Sequence, residues 1–434
     1  MPGPVRVIAD DLSGAADAGV MLVGGERAVL LTLGAGGGYW WDPEVPAVTI
    51  DTATRDATAA EAAAAVAALA ADLPEGTDLV NKIDSILRGH IAPEVTALRE
   101  VLPDHLIVLA PAFPRNQRVT RGGVQHVGGV PVHLGDLWAR EAARPPESIA
   151  ALLAPMSYEP IHLEVLRGTA LLAALEAAAR RGRVAICDAE TDGDLDRLVG
   201  AARACGTPVV WVGSAGLAAA VGRARRGAAG RAAAGQPARP GPAGQAPASP
   251  MTRRGPYLAV IGSTAAAAHA QAAALVDEGG ALPIELPAAD LAAAAELAAA
   301  EPGTLDAMAG RVSGAVGDRD TVVTITGPLR VEQAPAIARS LATVTGPAAR
   351  AAAALVLTGG ATARAVLEAA GTATLHLIAE LDPGIVLARP VGRDSVPVIT
   401  KSGAFGDDRT LLRAVQRITV AEGSLEEGSA PRAS

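Results

Sequence analysis

Short β-branched runs alternate with long Ala- and Leu-rich stretches along almost the whole chain, and this alternation restricts the fold more than any other feature. VRVIA (5–9), AVLLTL (28–33), AVTID (47–51), HLIVLA (105–110), VAICD (184–188) and PVVWVG (208–213) read as strands. So do YLAVIG (257–262), TVVTIT (321–326), ALVLTG (354–359), LHLIAE (375–380) and VPVIT (396–400). Helical patterns stand at 14–23, 57–72, 169–181, 192–204, 214–225, 264–278, 332–342, 362–370 and 408–419. Strands that alternate with helices form parallel sheets covered on both faces, and covered strands are apolar along their length. The expectation is an α/β protein of two domains, each a mainly parallel sheet flanked by helices, with the active site in the cleft between them.

At 434 residues the chain is too long for one ordinary domain. The break falls at 222–255, a stretch rich in Gly, Pro, Ala and Arg with no apolar period, which reads as a linker. Its arginines leave a second use open, as a basic tether for an acidic partner. The expected division is 1–221, linker 222–255, 256–424 and a tail at 425–434.

A net charge of −9 and only 2% aromatic residues argue against nucleic acid as a partner. No apolar run reaches the roughly 18 residues of a membrane span. MPGPVRVIADD lacks the charged and apolar regions of a signal peptide, so a cytoplasmic location is expected. Cys187 and Cys205 match no metal spacing, the seven histidines are scattered, and no protein-built metal site is expected. Walker, GxGxxG, GxSxG and HExxH motifs are all missing from the sequence.

In open α/β sheets ligands bind beyond the carboxyl ends of strands. Five such ends carry polar residues. Asp10 and Asp11 follow VRVIA, where one carboxylate can face a ligand and the other cap a helix. Asp51, Thr52, Thr54 and Arg55 follow AVTID; an N-cap with an exposed Arg would look the same. In NKIDSILRGH (81–90), Lys82 and Arg88 suit a carboxylate or phosphate, while Asp84 and Ser85 suit hydroxyls. A self-satisfied surface salt bridge is the plainer alternative. LAPAFPRNQRVTRGGVQHVGGVPVH (109–133), with Arg115 and Arg118, reads as a binding loop that returns as a hairpin. Finally IGSTAAAAHAQ (261–271), LTGGATARAV (357–366) and TKSGAFGDD (400–408) are glycine turns; the first two lead into helices and suit a nucleotide phosphate. A small hydroxy acid in one domain and a phosphate cradle in the other fit phosphoryl transfer.

At these residues the chain resembles the four-carbon acid sugar kinase family. The motifs are DDLSGA (10–15), KIDSILRG (82–89), APAFPRNQRVTRGG (110–123), GSAGLA (213–218), Gly262-Ser263, Thr358–Ala363 and Thr400–Gly406, collinear over nearly the whole chain. Ser13, Thr54 and Ile86 stand where the family commonly has Thr, Ser and Thr, which leaves substrate preference open. The resemblance implies ATP-dependent phosphorylation of a four-carbon sugar acid, usually on its terminal hydroxyl. It implies an acid pocket lined by Asp11, Lys82, Asp84, Ser85 and Arg88, to which the loop residues Arg55 and Arg115 are added. It implies ATP contacts at Ser263, Gly359, Gly360, Ala361, Thr362, Gly403 and Gly406. Asp11 is the expected base, with Asp10 and Asp84 as rivals. Mg²⁺ should ride on the ATP phosphates, with Asp407 or Asp408 assisting. A sensor that binds acid and nucleotide without turnover is the alternative. A homodimer would be unsurprising.

Overall fold

A computed structural model of the chain describes residues 3–23, 29–34, 45–138, 141, 143–234, 251–263, 265–297, 303–328, 330–393, 396–402 and 405–418. The strands are β1 Val5–Ala9, β2 Val29–Leu33, β3 Ala47–Asp51, β4 Asp78–Lys82, β5 Leu106–Ala110, β6 Arg118–Arg121, β7 Val124–Val127, β8 Val130–Pro131, β9 Tyr158–Ile161, β10 Val184–Cys187 and β11 Val209–Gly213. They continue as β12 Tyr257–Ile261, β13 Leu282–Pro287, β14 Thr321–Thr326, β15 Ala354–Thr358, β16 Thr374–Asp382, β17 Ile385–Pro390 and β18 Val398–Lys401. The helices are α1 Leu12–Val20, α2 Ala59–Ala71, α3 Ile91–Val101, α4 Ile149–Leu153, α5 Leu163–Arg167, α6 Leu171–Arg180, α7 Asp192–Ala204 and α8 Ala215–Ala234. Then come α9 Ala266–Asp277, α10 Ala288–Leu297, α11 Gly303–Asp318, α12 Ala334–Ala351, α13 Gly360–Ala369 and α14 Thr410–Gln416.

The chain divides into two units, 1–243 with 373–386, and 244–372 with 387–434. The first holds a sheet of order β16-β2-β3-β1-β4-β11-β5-β10-β9. Its neighbours from β2 to β9 pair in parallel, and β16 joins β2 antiparallel. Ile8, Ile50, Leu79, Val210 and Ile107 of the sheet pack with Val66, Leu69, Val95 and Leu98 of α2 and α3 into one apolar cluster. The Ala-rich α2 starts where it does because Thr58 and Glu61 form a capping box. The second unit holds β13-β14-β12-β15-β18-β17, parallel from β13 to β18.

Three expectations are corrected. LHLIAE is expected in the C-terminal domain, but β16 belongs to the first unit, where it pairs antiparallel with β2. Its alternating burial over Thr374–Leu377 is that of a strand with one face covered, not both. The linker does not begin at 222, because α8 runs on to Ala234. Ala and Arg are strong helix formers, and the first proline comes only at Pro237. Arg223 pairs with Asp196 at 2.8 Å, and the buried Arg225 pairs with Asp78 at 2.6 Å, so these arginines anchor the helix within its unit. The rest of the expected linker, 235–250, and the expected tail lie outside the described residues. Lastly, β4 had been missed: DLVNK is too polar to read as a buried strand, yet it lies between β1 and β11. Among the described residues no helix is long and apolar enough to cross a membrane.

Candidate active site

Strand register gathers the N-terminal motifs. Asp51, Lys82 and Gly213 end β3, β4 and β11; Ala9 pairs with Asp51 and Lys82, and Gly213 with Lys82 and Ala110. Five adjacent parallel strands therefore end level with one another. The loops leaving them are Asp10-Asp11, 52–55, 83–89, 214–216 and 111–117. Chain order reverses at β1, which has β3 on one side and β4 on the other, and such a switch point is where open sheets bind ligands.

The loops are held in place by forked ion pairs. Arg55 donates through Nε to Asp10 Oδ2 at 2.7 Å and through Nη2 to Asp10 Oδ1 at 2.6 Å, and also to Asp11 Oδ1 at 3.0 Å. Asp11 is the N-cap of α1 and accepts from the Gly14 N–H. Arg88 donates to both oxygens of Asp84 at 2.9 and 3.0 Å. Burial by itself would raise the Asp84 pKa, but the Arg88 charge and hydrogen bonds outweigh it and hold the carboxyl well below the usual range.

These loops also carry local backbone strain. Among the described residues three non-glycine residues have positive φ: Ala53 at 53°, Leu87 at 69° and Gln117 at 55°. Each lies one or two residues before an arginine of the site, Arg55, Arg88 or Arg118. Such a conformation costs an L-residue about 1 kcal/mol. Ala53→Gly is accordingly expected to raise stability by about 0.5–1 kcal/mol, read by chemical denaturation, with Ala53 itself exposed and free of packing. A loss of stability would contradict it.

Lys82 and Ser85 face the same region. Lys82 is 6% exposed, and its ammonium donates to the Ile83 carbonyl at 2.9 Å. Among the described residues it has no carboxylate within ion-pair distance. Ser85 Oγ accepts from Arg118 Nη1, and the Ser85 carbonyl accepts from Gln125 of the hairpin. The hairpin expected after 109 is present as β6 and β7. Of its arginines, Arg118 donates to Ser85, while the expected Arg115 pairs with Glu380 at 3.1 Å. GSAG serves the frame: Ser214 Oγ donates to the Ala112 carbonyl at 2.6 Å, and a Cβ on Gly213 would stand 2.4 Å from the Ala110 carbonyl oxygen.

Two carboxyls of this unit were missed from sequence. Glu94 on α3 is buried and accepts from Asn81 at 2.9 Å. Burial, with Asp10 adding to it, raises its pKa well above the usual range. Asp17 is half-buried on α1. The only signal for it was a carboxylate amid the small apolar residues of GAADAG.

In the second unit, β12, β15 and β18 are neighbours whose last residues, Ile261, Thr358 and Lys401, pair in register. The three glycine turns thus emerge side by side. Gly359 takes φ 86° and begins α13 with no side-chain cap, leaving the first N–H groups of that helix unsatisfied by a cap. Gly262 is required by contact, since a Cβ there would fall 1.9 Å from Thr362 Oγ1. Ser263, Gly359, Gly360, Ala361 and Thr362 are therefore brought together. Gln271 fixes the third turn by donating to the carbonyls of Phe405 and Asp407 beside Gly406, while Gly403 lies outside the described residues. Sequence reasoning passed over Lys401, which is 1% exposed, donates to the Ser402 carbonyl and has its pKa lowered by burial to about 8. Among the described residues Thr358 Oγ1, at the end of β15, is buried without a hydrogen-bond partner. Glycines at 262, 359 and 360, an uncapped helix start and a buried ammonium suit a polyphosphate.

Buried cations beyond the strand ends of one unit and a glycine-lined helix start on the other are features that a two-domain small-molecule kinase needs. The comparisons agree. Residues 5–221 match the family model for a sugar-binding N-terminal domain and residues 258–411 that for a nucleotide-binding C-terminal domain. The D-threonate kinase of Cupriavidus necator is 33% identical, with 95% of this chain and 97% of the relative covered. The D-erythronate kinase of Heliobacterium modesticaldum is 35% identical over 48% of this chain and 50% of its own. A crystal structure from Salmonella typhimurium superposes with a TM-score of 0.74 at 21% identity, covering 96% of this chain and 100% of that one, which shows the shared fold. The chain belongs to the four-carbon acid sugar kinase family.

Proposed function

We propose that the protein transfers the γ-phosphoryl group of ATP to the terminal hydroxyl of a four-carbon sugar acid, with threonate and erythronate the leading candidates. The carrying observation is Lys82, a buried lysine at the end of a central strand whose ammonium has, among the described residues, a single carbonyl acceptor. Holding that charge out of water is costly unless an anion completes it. The substrate carboxylate supplies the anion, and Ser85 and Arg118 lie beside it to orient hydroxyls. Arg88 and Arg55, expected from sequence to grip the substrate, instead brace Asp84, Asp10 and Asp11.

Nucleotide phosphates are assigned to the Gly359–Thr362 turn, Ser263 and Lys401. Mg²⁺ is assigned to those phosphates, since this ion prefers substrate phosphates with one or two carboxylates. Asp407 is committed to Arg413, Thr410 and the Arg409 N–H, which leaves the exposed Asp408 as the assisting carboxylate. Transfer then requires the nucleotide bound by one unit to reach the acid bound by the other.

The test is ADP release with Mg²⁺-ATP across D- and L-threonate, D- and L-erythronate and the 2-keto and 3-keto tetronates. Turnover of one or two members is expected, and turnover of none would sink the assignment. Lys82→Met should raise KM for the productive acid by about tenfold or more while leaving nucleotide affinity unchanged. An unchanged KM would remove Lys82 from the carboxylate site.

A further inference from the structure

The three carboxylates expected to serve as base are already engaged. Asp10 sits in the Arg55 fork, Asp84 in the Arg88 fork, and Asp11 accepts from the Gly14 N–H and Arg55. A carboxylate whose lone pairs are held by cations is a poor proton acceptor. Asp17 differs. Among the described residues no hydrogen bond or ion pair engages it. It lies three and four residues beyond Gly14 and Ser13, on the same face of α1. That face adjoins the anion pocket, for a Cβ on Gly14 would stand 3.1 Å from Lys82 Nζ. The charged groups facing Asp17 are Lys82 at the end of β4, Asp11 at the start of α1, Glu380 on β16 and Arg118 on β6. Two of these, Lys82 and Arg118, are the cations that frame the pocket.

We propose that Asp17 is the catalytic base, its carboxylate taking the proton of the attacking hydroxyl of the sugar acid. The assignment rests on the kinase function given above. As the hydroxyl oxygen bonds to the γ-phosphorus, the bond from that phosphorus to the β,γ-bridging oxygen breaks. ADP leaves with the electron pair, and the hydroxyl proton ends on Asp17. The environment suits this role. Burial, opposed by Lys82 and reinforced by Asp11 and Glu380, raises the Asp17 pKa to about 7. A base is most effective when its pKa lies near the working pH.

A base must be deprotonated, so kcat/KM should rise as pH passes through about 7 and level off above it. The experiment is a pH profile of the wild type on its productive acid, beside Asp17→Asn and Glu94→Gln. Asp17→Asn should lower kcat by about a hundredfold or more, with KM for ATP little changed, and should lose the ionisation near 7. Glu94→Gln should keep that ionisation, which separates the two raised carboxyls. The amide also removes a charge that the fold disfavours. A raised carboxyl pKa weakens the fold as pH climbs from the unfolded value through the folded one. Asp17→Asn should therefore melt above the wild type at pH 8, with the gap closing near pH 4.

A wild-type profile flat from pH 6 to 8 would overturn the proposal whether or not the variant folds. So would an Asp17→Asn kcat within about threefold of wild type, or loss of the ionisation in Glu94→Gln. In those cases wild-type turnover still stands, and with it the kinase function. If the wild type phosphorylates none of the acids, the kinase function fails and the proposal falls with it.

Discussion

Arg88→Ala is expected to lower kcat/KM for the acid by about a hundredfold to a thousandfold and to destabilise the protein by roughly 3 kcal/mol. The guanidinium forms both bonds of a fork to Asp84, whose side chain is 9% exposed. Without it the carboxylate keeps the Ile86 and Arg88 N–H groups at 3.3 Å, too long to replace the fork. An unpaired charge near the sheet end would pull the 83–89 loop out of shape and carry Ser85 with it. Arg88→Lys should recover only part of the loss, because an ammonium cannot form the fork. The stability difference has a definite pH sign. Asp84 is depressed in the folded protein, so its contribution is full above the unfolded carboxyl pKa and fades as pH falls below it. The gap between wild type and Arg88→Ala should therefore narrow in acid. Denaturant melts at pH 7 and pH 3.5, with steady-state kinetics, check all three. Near-normal activity in Arg88→Ala would show that the fork is ornamental.

Gly262→Ala is expected to weaken nucleotide binding by at least about tenfold and to cost roughly 2 kcal/mol or more of stability. The added Cβ would fall 1.9 Å from Thr362 Oγ1 and 2.5 Å from Thr362 Cβ, so no rotation of the threonine relieves the clash. Thr362 is buried in the first turn of α13, and displacing it moves the N–H groups assigned to the phosphates. The damage should stay with the nucleotide. Binding of the acid, measured without ATP by calorimetry, should remain near wild type. A matching loss of acid affinity would mean that the two sites are not separately built.

Sequence alone revealed most of the parallel strands, because covered strands are uniformly apolar, and it revealed the glycine turns, because Gly and Ser before a helix pattern stand out. It failed where a strand carries polar residues or joins a distant part of the chain. β4 escaped because Asn81 bonds Glu94 and Lys82 bonds the Ile83 carbonyl, so a buried strand is written in polar letters. β16 looked like a C-terminal strand because chain proximity says nothing about which sheet a strand joins. In the site, residue types were legible and pairings were not. For Lys82, Asp84, Ser85 and Arg88 the sequence left two readings open, ligand contacts or a salt bridge among themselves, and only the fold shows Arg88 turned back on Asp84 and Lys82 donating to the Ile83 carbonyl. Arg118 meets Ser85 and Arg115 meets Glu380 on either side of the left-handed turn at Gln117, a conformation composition does not dictate. Asp17 was overlooked because a single Asp in a helix is ordinary until its surroundings are known.

The most direct measurement is a proton-coupled phosphorus NMR spectrum of the protein incubated with Mg²⁺-ATP and D-threonate, then with D-erythronate. The account requires ADP and one new phosphomonoester signal with the productive acid, split into a triplet by the two protons of a terminal CH₂–O–P group. A doublet would place the phosphate on a secondary hydroxyl and contradict the terminal assignment. ATP that yields no phosphomonoester with either acid or with the keto tetronates would contradict the kinase itself.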